Sequence, residues 1–352
     1  MKNRRVCFIY PWATFGGVER VLLNRALAFK HFVPSVTLDF LFLHDAGGLR
    51  PLASAISKYG LEANSAIVSS LEREYDLVFA IDCPQAIDMC ERQSQRYLVE
   101  CHTAYSENRR YLANLPKSCE RVITPSAFFS EIIRKEYPRM PSPISELRNF
   151  IPWDIDVLKE NSETCLPKWT RKPILFFGRL DKLKDPLSLL DAYECLEKTR
   201  SGEFMLLFCG PDSPEIDLQK EITKRSLDGV TVRIPAIPFA SAGRLFASVA
   251  QLGGVFVSPS KGESFGLSAA EAISSLVPVV LSDIDAHVGL VTGFEEELTY
   301  PVGDYKSMAR RIEAVFDNYS AAQEAVAIAR NKFSAHGFIQ DWATLFEELD
   351  IN

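Results

Sequence analysis

Strand-like apolar runs alternate with helical patterns from one end of this chain to the other, and that rhythm admits few folds. In the first half the runs are Val6–Tyr10, Thr37–Leu43, Leu77–Ile81, Tyr97–Cys101 and Val122–Thr124, with helical patterns at Val18–Lys30 and Ser126–Glu136. In the second half they are Ile174–Gly178, Phe204–Gly210, Val230–Ile234, Gly254–Ser258 and Val279–Ser282. Helical patterns intervene there at Pro186–Lys198, Pro214–Leu227, Ala240–Gln251 and Gly266–Leu276. Two or three helices close the chain, at Asp304–Tyr319, Ser320–Phe333 and Phe338–Leu349. Runs this continuous in Val, Ile, Leu and Phe read as strands buried on both faces, the condition of a parallel sheet covered by helices. Between the halves, Tyr137-Pro138-Arg139-Met140-Pro141-Ser142-Pro143 and the prolines at 152 and 167 lack periodicity and mark a boundary. The reading is α/β, two doubly wound Rossmann-like domains facing a cleft. They span residues 1–150 and 151–335, and a helix in 336–352 packs back on the first domain. In such folds the ligand lies at the carboxyl ends of the strands.

The chain has 352 residues, 47% of them hydrophobic, which suffices for two separate cores. No apolar run approaches the roughly 18 residues of a membrane span. Val6–Tyr10 is cut short by Pro11 and is too brief for the apolar core of a signal peptide. Cysteines stand at 7, 83, 90, 101, 119, 165, 195 and 209 with no C-x-x-C, and several lie inside apolar runs. This predicts reduced, mostly buried thiols in a cytoplasmic protein rather than disulfides or zinc. The five histidines show no metal-ligand spacing either. Residues 1–150 hold 19 Lys and Arg against 16 Asp and Glu, while the remainder holds 20 against 30. The basic residues gather at Arg92/Arg96, Arg109/Arg110 and Arg134/Lys135/Arg139, which suits a solvated surface or peripheral contact with an anionic membrane or acceptor. The acidic total and the lack of a binding motif argue against nucleic acid.

Val255 to Ala272 carries the densest chemical signal: an apolar strand, a polar turn with Pro259 and Gly262, and a helix opening at Phe265-Gly266-Leu267. A helix that starts just past a strand end offers backbone N–H groups and the positive end of its dipole to a phosphate. Glu263 and Glu271 flank that opening. Eight residues of helix rise about 12 Å, whereas the paired carboxyls of a glycosidase lie at most about 9.5 Å apart. The spacing therefore suits a ligand held at two points with phosphates between them. Gly178-Arg179-Leu180-Asp181-Lys182-Leu183-Lys184 follows the first strand of the second half and places two cations where the chain leaves the sheet. Gly16-Gly17 sits between the first strand and first helix, where paired glycines let backbone approach a ligand closely. Neither G-x-G-x-x-G nor a P-loop is present. His102 ends the run at Tyr97–Cys101, Gly210 ends the run at Phe204, and Ser126 reads as a helix N-cap.

The string Glu263-Ser264-Phe265-Gly266 followed by Glu271 resembles the E-x7-E signature of family 4 of the retaining GT-B glycosyltransferases, the glycosyl transferases group 1. Gly178–Lys184 resembles that family's G-R-L-x-x-x-K. The resemblance follows motif order along nearly the whole chain, strongly from 174 to 304 and thinly before 150. It implies that Glu263 faces the donor sugar, that Glu271 holds the ribose, and that Arg179 and Lys184 neutralise the diphosphate. It further implies that Gly16-Gly17 approaches the diphosphate and acceptor, that Gly210 comes near the base, that His102 faces the transferred sugar, and that Asn149 is a hinge residue. The implied fold is GT-B and the implied activity is metal-independent retaining transfer of a hexose-type sugar. The donor would be a nucleotide diphosphate sugar, with no further cofactor. The acceptor would be a glycan or lipid-linked molecule of surface polysaccharide or lipopolysaccharide assembly, met in the cytoplasm or at the inner face of the cell membrane. Two residues depart from the pattern: Leu276, where the family usually has Gly two residues before the proline, and Ser264, where Gly is common. A sugar-nucleotide epimerase and a non-catalytic sugar-nucleotide-binding GT-B protein remain as alternatives. A phosphorylase would want a cofactor lysine and a far longer chain.

Overall fold

The computed structural model describes residues 3–14, 16–155 and 166–351, and divides into one unit of Met1–Leu158 with Phe333–Asn352 and another of Lys159–Lys332. The first unit is built on seven parallel strands: β1 (Arg4–Ala13), β2 (Val36–Asp45), β3 (Ser65–Val68), β4 (Leu77–Ile81), β5 (Tyr97–Glu100), β6 (Val122–Thr124) and β7 (Ile144–Glu146). Their order is β3-β2-β1-β4-β5-β6-β7, with Val6 of β1 opposite Leu38 of β2 and Leu77 of β4. Helices α1 (Gly17–Phe32), α2 (Leu49–Lys58), α3 (Pro84–Gln93) and α4 (Ala127–Glu136) connect them. Ser126 caps α4, its hydroxyl accepting from Phe129 N at 3.4 Å.

β1 runs three residues past the expected stop at Tyr10. Pro11 is tolerated because β4 pairs with β1 only as far as Ile9, and Pro11 is itself skipped in the pairing with β2. The sequence reading missed β3 and β7, which lie at the two edges of the sheet and have largely half-buried residues. An edge strand has no need of a continuous apolar run.

The second unit repeats the plan with β8 (Lys172–Phe177), β9 (Phe204–Cys209), β10 (Thr231–Ile234), β11 (Val255–Ser258), β12 (Val279–Ser282) and β13 (Thr299–Tyr300), all parallel in the order β10-β9-β8-β11-β12-β13. Its helices are α5 (Pro186–Thr199), α6 (Leu218–Lys224), α7 (Phe239–Gln251), α8 (Leu267–Ser274), α9 (Asp285–Leu290), α10 (Glu295–Leu298), α11 (Tyr305–Asp317) and α12 (Tyr319–Ala329). α6 is shorter than the expected Pro214–Leu227 because Asp217 caps it, accepting from Lys220 N at 3.0 Å. β13 has only two residues, too few for any pattern to reveal.

The last helix, α13 (Ala335–Glu348), belongs to the first unit. Trp342 packs on Phe29 of α1 at 4.7 Å between ring centroids and on Phe79 of β4 at 5.5 Å. Such aromatic pairs add about 0.5–1.5 kcal/mol beyond their burial. Asp341 forms a two-pronged pair with Arg148, both contacts at 2.7 Å. Cys7, Cys83, Cys90, Cys101, Cys119 and Cys209 are buried free thiols and Cys195 is half-buried, while Cys165 lies outside the described residues. Burial raises the thiol pKa of Cys83 to about 11 and of Cys90 to about 12, which keeps them unreactive. No helix among the described residues is long and apolar enough to cross a membrane.

Candidate active site

In the second unit the strand order reverses between β8 and β11, so a crevice is expected at the carboxyl ends of those two strands. Both motif loops start there, one leaving β8 at Gly178 and the other leaving β11 at Pro259. Gly178 N donates to Cys209 O at 2.9 Å, and Gly210 approaches so closely that a Cβ on it would lie 1.9 Å from Gly178 O. Only glycine fits at 210. The loop after Gly178 is wound around Asp181, which is 4% exposed. Its carboxylate accepts from Lys184 N at 2.9 Å and pairs with Arg179 Nε at 3.0 Å.

The two loops are tied to each other. Lys261 N donates to Leu183 O at 2.8 Å, and Lys261 Nζ pairs with Asp185 Oδ2 at 2.9 Å. At the centre Lys184 Nζ is ion-paired with Glu263 Oε1, which also accepts from Ser260 Oγ at 2.9 Å. Burial alone would push the Glu263 carboxyl up, but Lys184 and the Ser260 hydroxyl outweigh it and hold the pKa below the usual carboxylate range. Lys184 and Glu263, 79 residues apart and each from its own motif loop, thus meet in the folded chain.

The helix expected to open at Phe265-Gly266 begins at Leu267, with Gly266 as its N-cap at φ +88°. His287 of α9 explains the glycine: a Cβ at 266 would stand 3.2 Å from His287 Cδ2 and 3.2 Å from Leu290 Cδ1. His287 is wholly buried, and its Nδ1 lies 3.1 Å from both the carbonyl oxygen and the hydroxyl of Ser282. The Ser282 hydroxyl gives its hydrogen to Ser260 O at 2.6 Å, so the network places the imidazole hydrogen on Nδ1, donating to Ser282 O. Nε2 is buried without a partner. Burial lowers the His287 pKa to about 4, so the ring is neutral at pH 7. No spacing pattern singled out His287, because its link to Glu263 runs through Ser282 and Ser260 and exists only in the folded chain. Glu271 sits on α8, 7% exposed, and Phe265 and Leu267 bracket the helix start, the first buried and the second half-buried.

Residues 160–332 match the family model of the glycosyl transferases group 1. The second unit is a glycosyl transferases group 1 domain. The chain is 40% identical over 80 residues to a lipopolysaccharide core biosynthesis mannosyltransferase of Rhizobium meliloti, covering 22% of this chain and 23% of that protein. It is 31% identical over 197 residues to a D-inositol 3-phosphate glycosyltransferase of Corynebacterium diphtheriae, covering 54% of this chain and 44% of that one. It thus spans less than half the length of these curated relatives. Among solved structures, Anabaena Alr3699/HepE in complex with UDP and glucose superposes with a TM-score of 0.75 at 15% identity, covering 98% of this chain and all of that one. The pneumococcal O-GlcNAc transferase GtfA in complex with UDP and GlcNAc gives 0.76 at 11%, covering 99% and 100%. At these identities the likeness concerns the fold, which is GT-B.

Outside the group 1 domain, the remaining sequence candidates lie past the carboxyl ends of β1, β5 and β7. Gly16 is the N-cap of α1, and a Cβ there would stand 2.8 Å from Thr14 Oγ1. Gly17 opens the helix, and Glu19, fully buried, turns back to accept from Thr14 N. His102 follows β5 with its Nε2 2.6 Å from Glu100 Oε1, and its N–H donates to Asp82 at 3.1 and 3.2 Å. Asp82 sits at φ +44°, and burial raises its pKa to about 6. Asn149 Nδ2 is 3.5 Å from His102 Nδ1. Arg25, Glu100 and Asp82 were not singled out from the sequence. Arg25 lies in the apolar stripe of a helix, and the two carboxylates stand at strand ends, where a charged residue is ordinary.

Proposed function

We propose that the chain is a retaining glycosyltransferase that takes a hexose-type sugar from a nucleotide diphosphate sugar and passes it to a glycan or lipid-linked acceptor. The observation that carries this reading is the meeting of Lys184 and Glu263 at the reversal point of the group 1 domain, with Arg179 on the same loop and the α8 N-terminus next in sequence. Two cations and a helix N-terminus complement a diphosphate. Glu263 is the carboxylate for the donor sugar, and Glu271 is the one for the ribose. Lys184 is paired with Glu263, and Arg179 with Asp181, so a diphosphate takes over cations that are already oriented. Glu263, relieved of its lysine, then turns to the sugar. As the bond to the anomeric carbon breaks, negative charge grows on the departing diphosphate, and fixed cations stabilise that state more than the ground state. In this reading Arg179 and Lys184 do the work of a divalent cation.

The mannosyltransferase among the relatives supports an acceptor in surface polysaccharide assembly, and the UDP-bound structures support a nucleotide diphosphate as leaving group. Cytoplasmic placement with peripheral contact at an anionic inner membrane face belongs to the same proposal. Arg96, Arg109 and Arg134 are ion-paired with Glu120, Glu136 and Glu131, which limits the charge left for such contact. The test is turnover. A nucleotide diphosphate that raises the melting temperature identifies the donor class. Acceptor-dependent release of that nucleotide, with the anomeric configuration kept in the product by NMR, supports transfer. Binding without turnover of any sugar donor points to a sugar-nucleotide-binding protein instead.

A further inference from the structure

Behind the turn that carries Glu263 lies a buried run of hydroxyls ending on His287, which the sequence motifs leave unexplained. Ser258 is the last residue of β11, Ser282 is the last of β12, and Ser260 lies in the loop after β11. All three serines and His287 are buried. Each hydrogen in the run has one direction. Glu263 is ionised at pH 7 and can only accept, so Ser260 Oγ donates to its Oε1 at 2.9 Å. Ser258 Oγ, 3.1 Å from Ser260 Oγ, then donates to that oxygen. Ser282 Oγ donates to Ser260 O at 2.6 Å, and the His287 Nδ1–H is shared by the carbonyl and hydroxyl oxygens of Ser282, both at 3.1 Å.

The same ring reaches the far end of the turn. Its Cδ2 edge stands so close to Gly266 that a Cβ there would lie 3.2 Å away, while Nδ1 holds Ser282 and, through it, Ser260. One side chain thus backs residues 260–266 at both ends. Nε2 is buried without a partner. An apolar side chain of similar shape would fill the place without stranding an acceptor, so packing alone is a weak account of a histidine here. The run comes to the surface at Glu263, whose side chain is 13% exposed. On Oε1 sit Lys184 Nζ and Ser260 Oγ. A diphosphate that takes Lys184 leaves the Ser260 hydroxyl on that oxygen.

We propose that His287 and Ser282 are positioning residues: they hold Ser260, whose hydroxyl aims the Glu263 carboxylate at the donor sugar once a diphosphate has taken Lys184. The sugar in this statement rests on the glycosyltransferase reading above. The hold on Glu263 does not.

A mutant cycle on the full-length chain tests it. Ser282→Ala and His287→Leu should each lower turnover about tenfold or more, the cost of one misdirected hydrogen bond to a charged group, with affinity for the bare nucleotide diphosphate within about twofold of wild type. Ser260→Ala/His287→Leu should be no slower than Ser260→Ala alone, because residues that act through one another are not additive. His287→Asn, which puts an amide donor where Nδ1 stood, should regain most of the turnover. Wild-type turnover in Ser282→Ala, losses that multiply in the double variant, or Asn no better than Leu would overturn the proposal. If His287→Leu loses nucleotide binding through misfolding, Ser260→Ala/Ser282→Ala completes the same cycle. A second readout needs no substrate. Against burial, Lys184 and Ser260 hold the Glu263 carboxyl below the usual range, so carbon NMR should find it titrating higher in Ser282→Ala, as in Ser260→Ala, and no higher in the double variant. An unmoved Glu263 titration in Ser282→Ala also overturns the proposal. If the titrations behave as stated but the wild type turns over no nucleotide sugar, the glycosyltransferase reading fails while the hold on Glu263 stands.

Discussion

Gly210→Ala should be far more damaging than Gly178→Ala, although the two glycines adopt nearly the same backbone conformation, φ +150° and +154°. A non-glycine residue there costs about 1–3 kcal/mol in either variant. The two differ in what the new methyl meets. At 178 nothing lies within 4 Å, whereas at 210 the Cβ would sit 1.9 Å from Gly178 O and 2.7 Å from Gly178 C. That overlap must be relieved by moving β9 away from the end of β8, an overpacking cost of about 1–3 kcal/mol more. With a urea slope of about 2 kcal/mol per molar, the midpoint for the group 1 domain should fall about 1 M further in Gly210→Ala than in Gly178→Ala. The displacement also shifts the carbonyl that precedes Arg179, so affinity for a nucleotide diphosphate should drop in Gly210→Ala beyond the stability loss. Urea titrations resolved for the second unit's transition supply the comparison. Equal midpoint shifts in the two variants would refute the argument that close approach, rather than conformation, demands glycine at 210.

Arg179→Ala/Lys184→Ala should remove both donor affinity and turnover, and a double variant near wild-type rate would sink the site. EDTA should leave wild-type activity largely intact, and loss restored by Mg²⁺ would contradict the role given to the two cations. Acid should act on the two units in opposite directions. His287, lowered from 6.5 to about 4, contributes stability to the second unit that is present above pH 6.5 and lost as pH falls toward 4, up to about 3 kcal/mol. Asp82, raised from 3.8 to about 6, penalises the first unit when ionised, so that unit gains as pH falls through 6. Calorimetry at pH 7 and pH 5 should therefore show the second unit's transition moving down relative to the first, and parallel movement would count against both assignments. Co-sedimentation with anionic vesicles should weaken as salt rises, and no binding at low salt would favour a soluble acceptor.

The α/β architecture was legible because both sheets are parallel and their central strands carry unbroken apolar runs such as Val6–Ile9 and Phe204–Cys209. What the runs could not show was three of the four edge strands, β3, β7 and the two-residue β13, whereas the edge strand β10 was read as Val230–Ile234. Lys184 and Glu263 were legible from their own loops, since each motif starts where a strand ends. Leu276 is instructive. It has φ +59° directly after the C-cap of α8, a position suited to glycine, so the departure seen in the sequence is a left-handed leucine carried at a cost of about 1–2 kcal/mol. His287 and the buried Arg25–Glu100 ion pair were invisible because burial and partner, not spacing, define them.

The central claim is that Glu263 and Glu271 serve different parts of one nucleotide sugar. Isothermal titration of the bare nucleotide diphosphate against wild type, Glu263→Ala and Glu271→Ala tests it most directly. Glu271→Ala should lose about tenfold or more in affinity, as expected for a charge-assisted hydrogen bond to the ribose. Glu263→Ala should bind the bare nucleotide within a few-fold of wild type yet fail in sugar transfer. Equal losses of nucleotide affinity in the two variants, or full transfer activity in Glu263→Ala, would contradict the account.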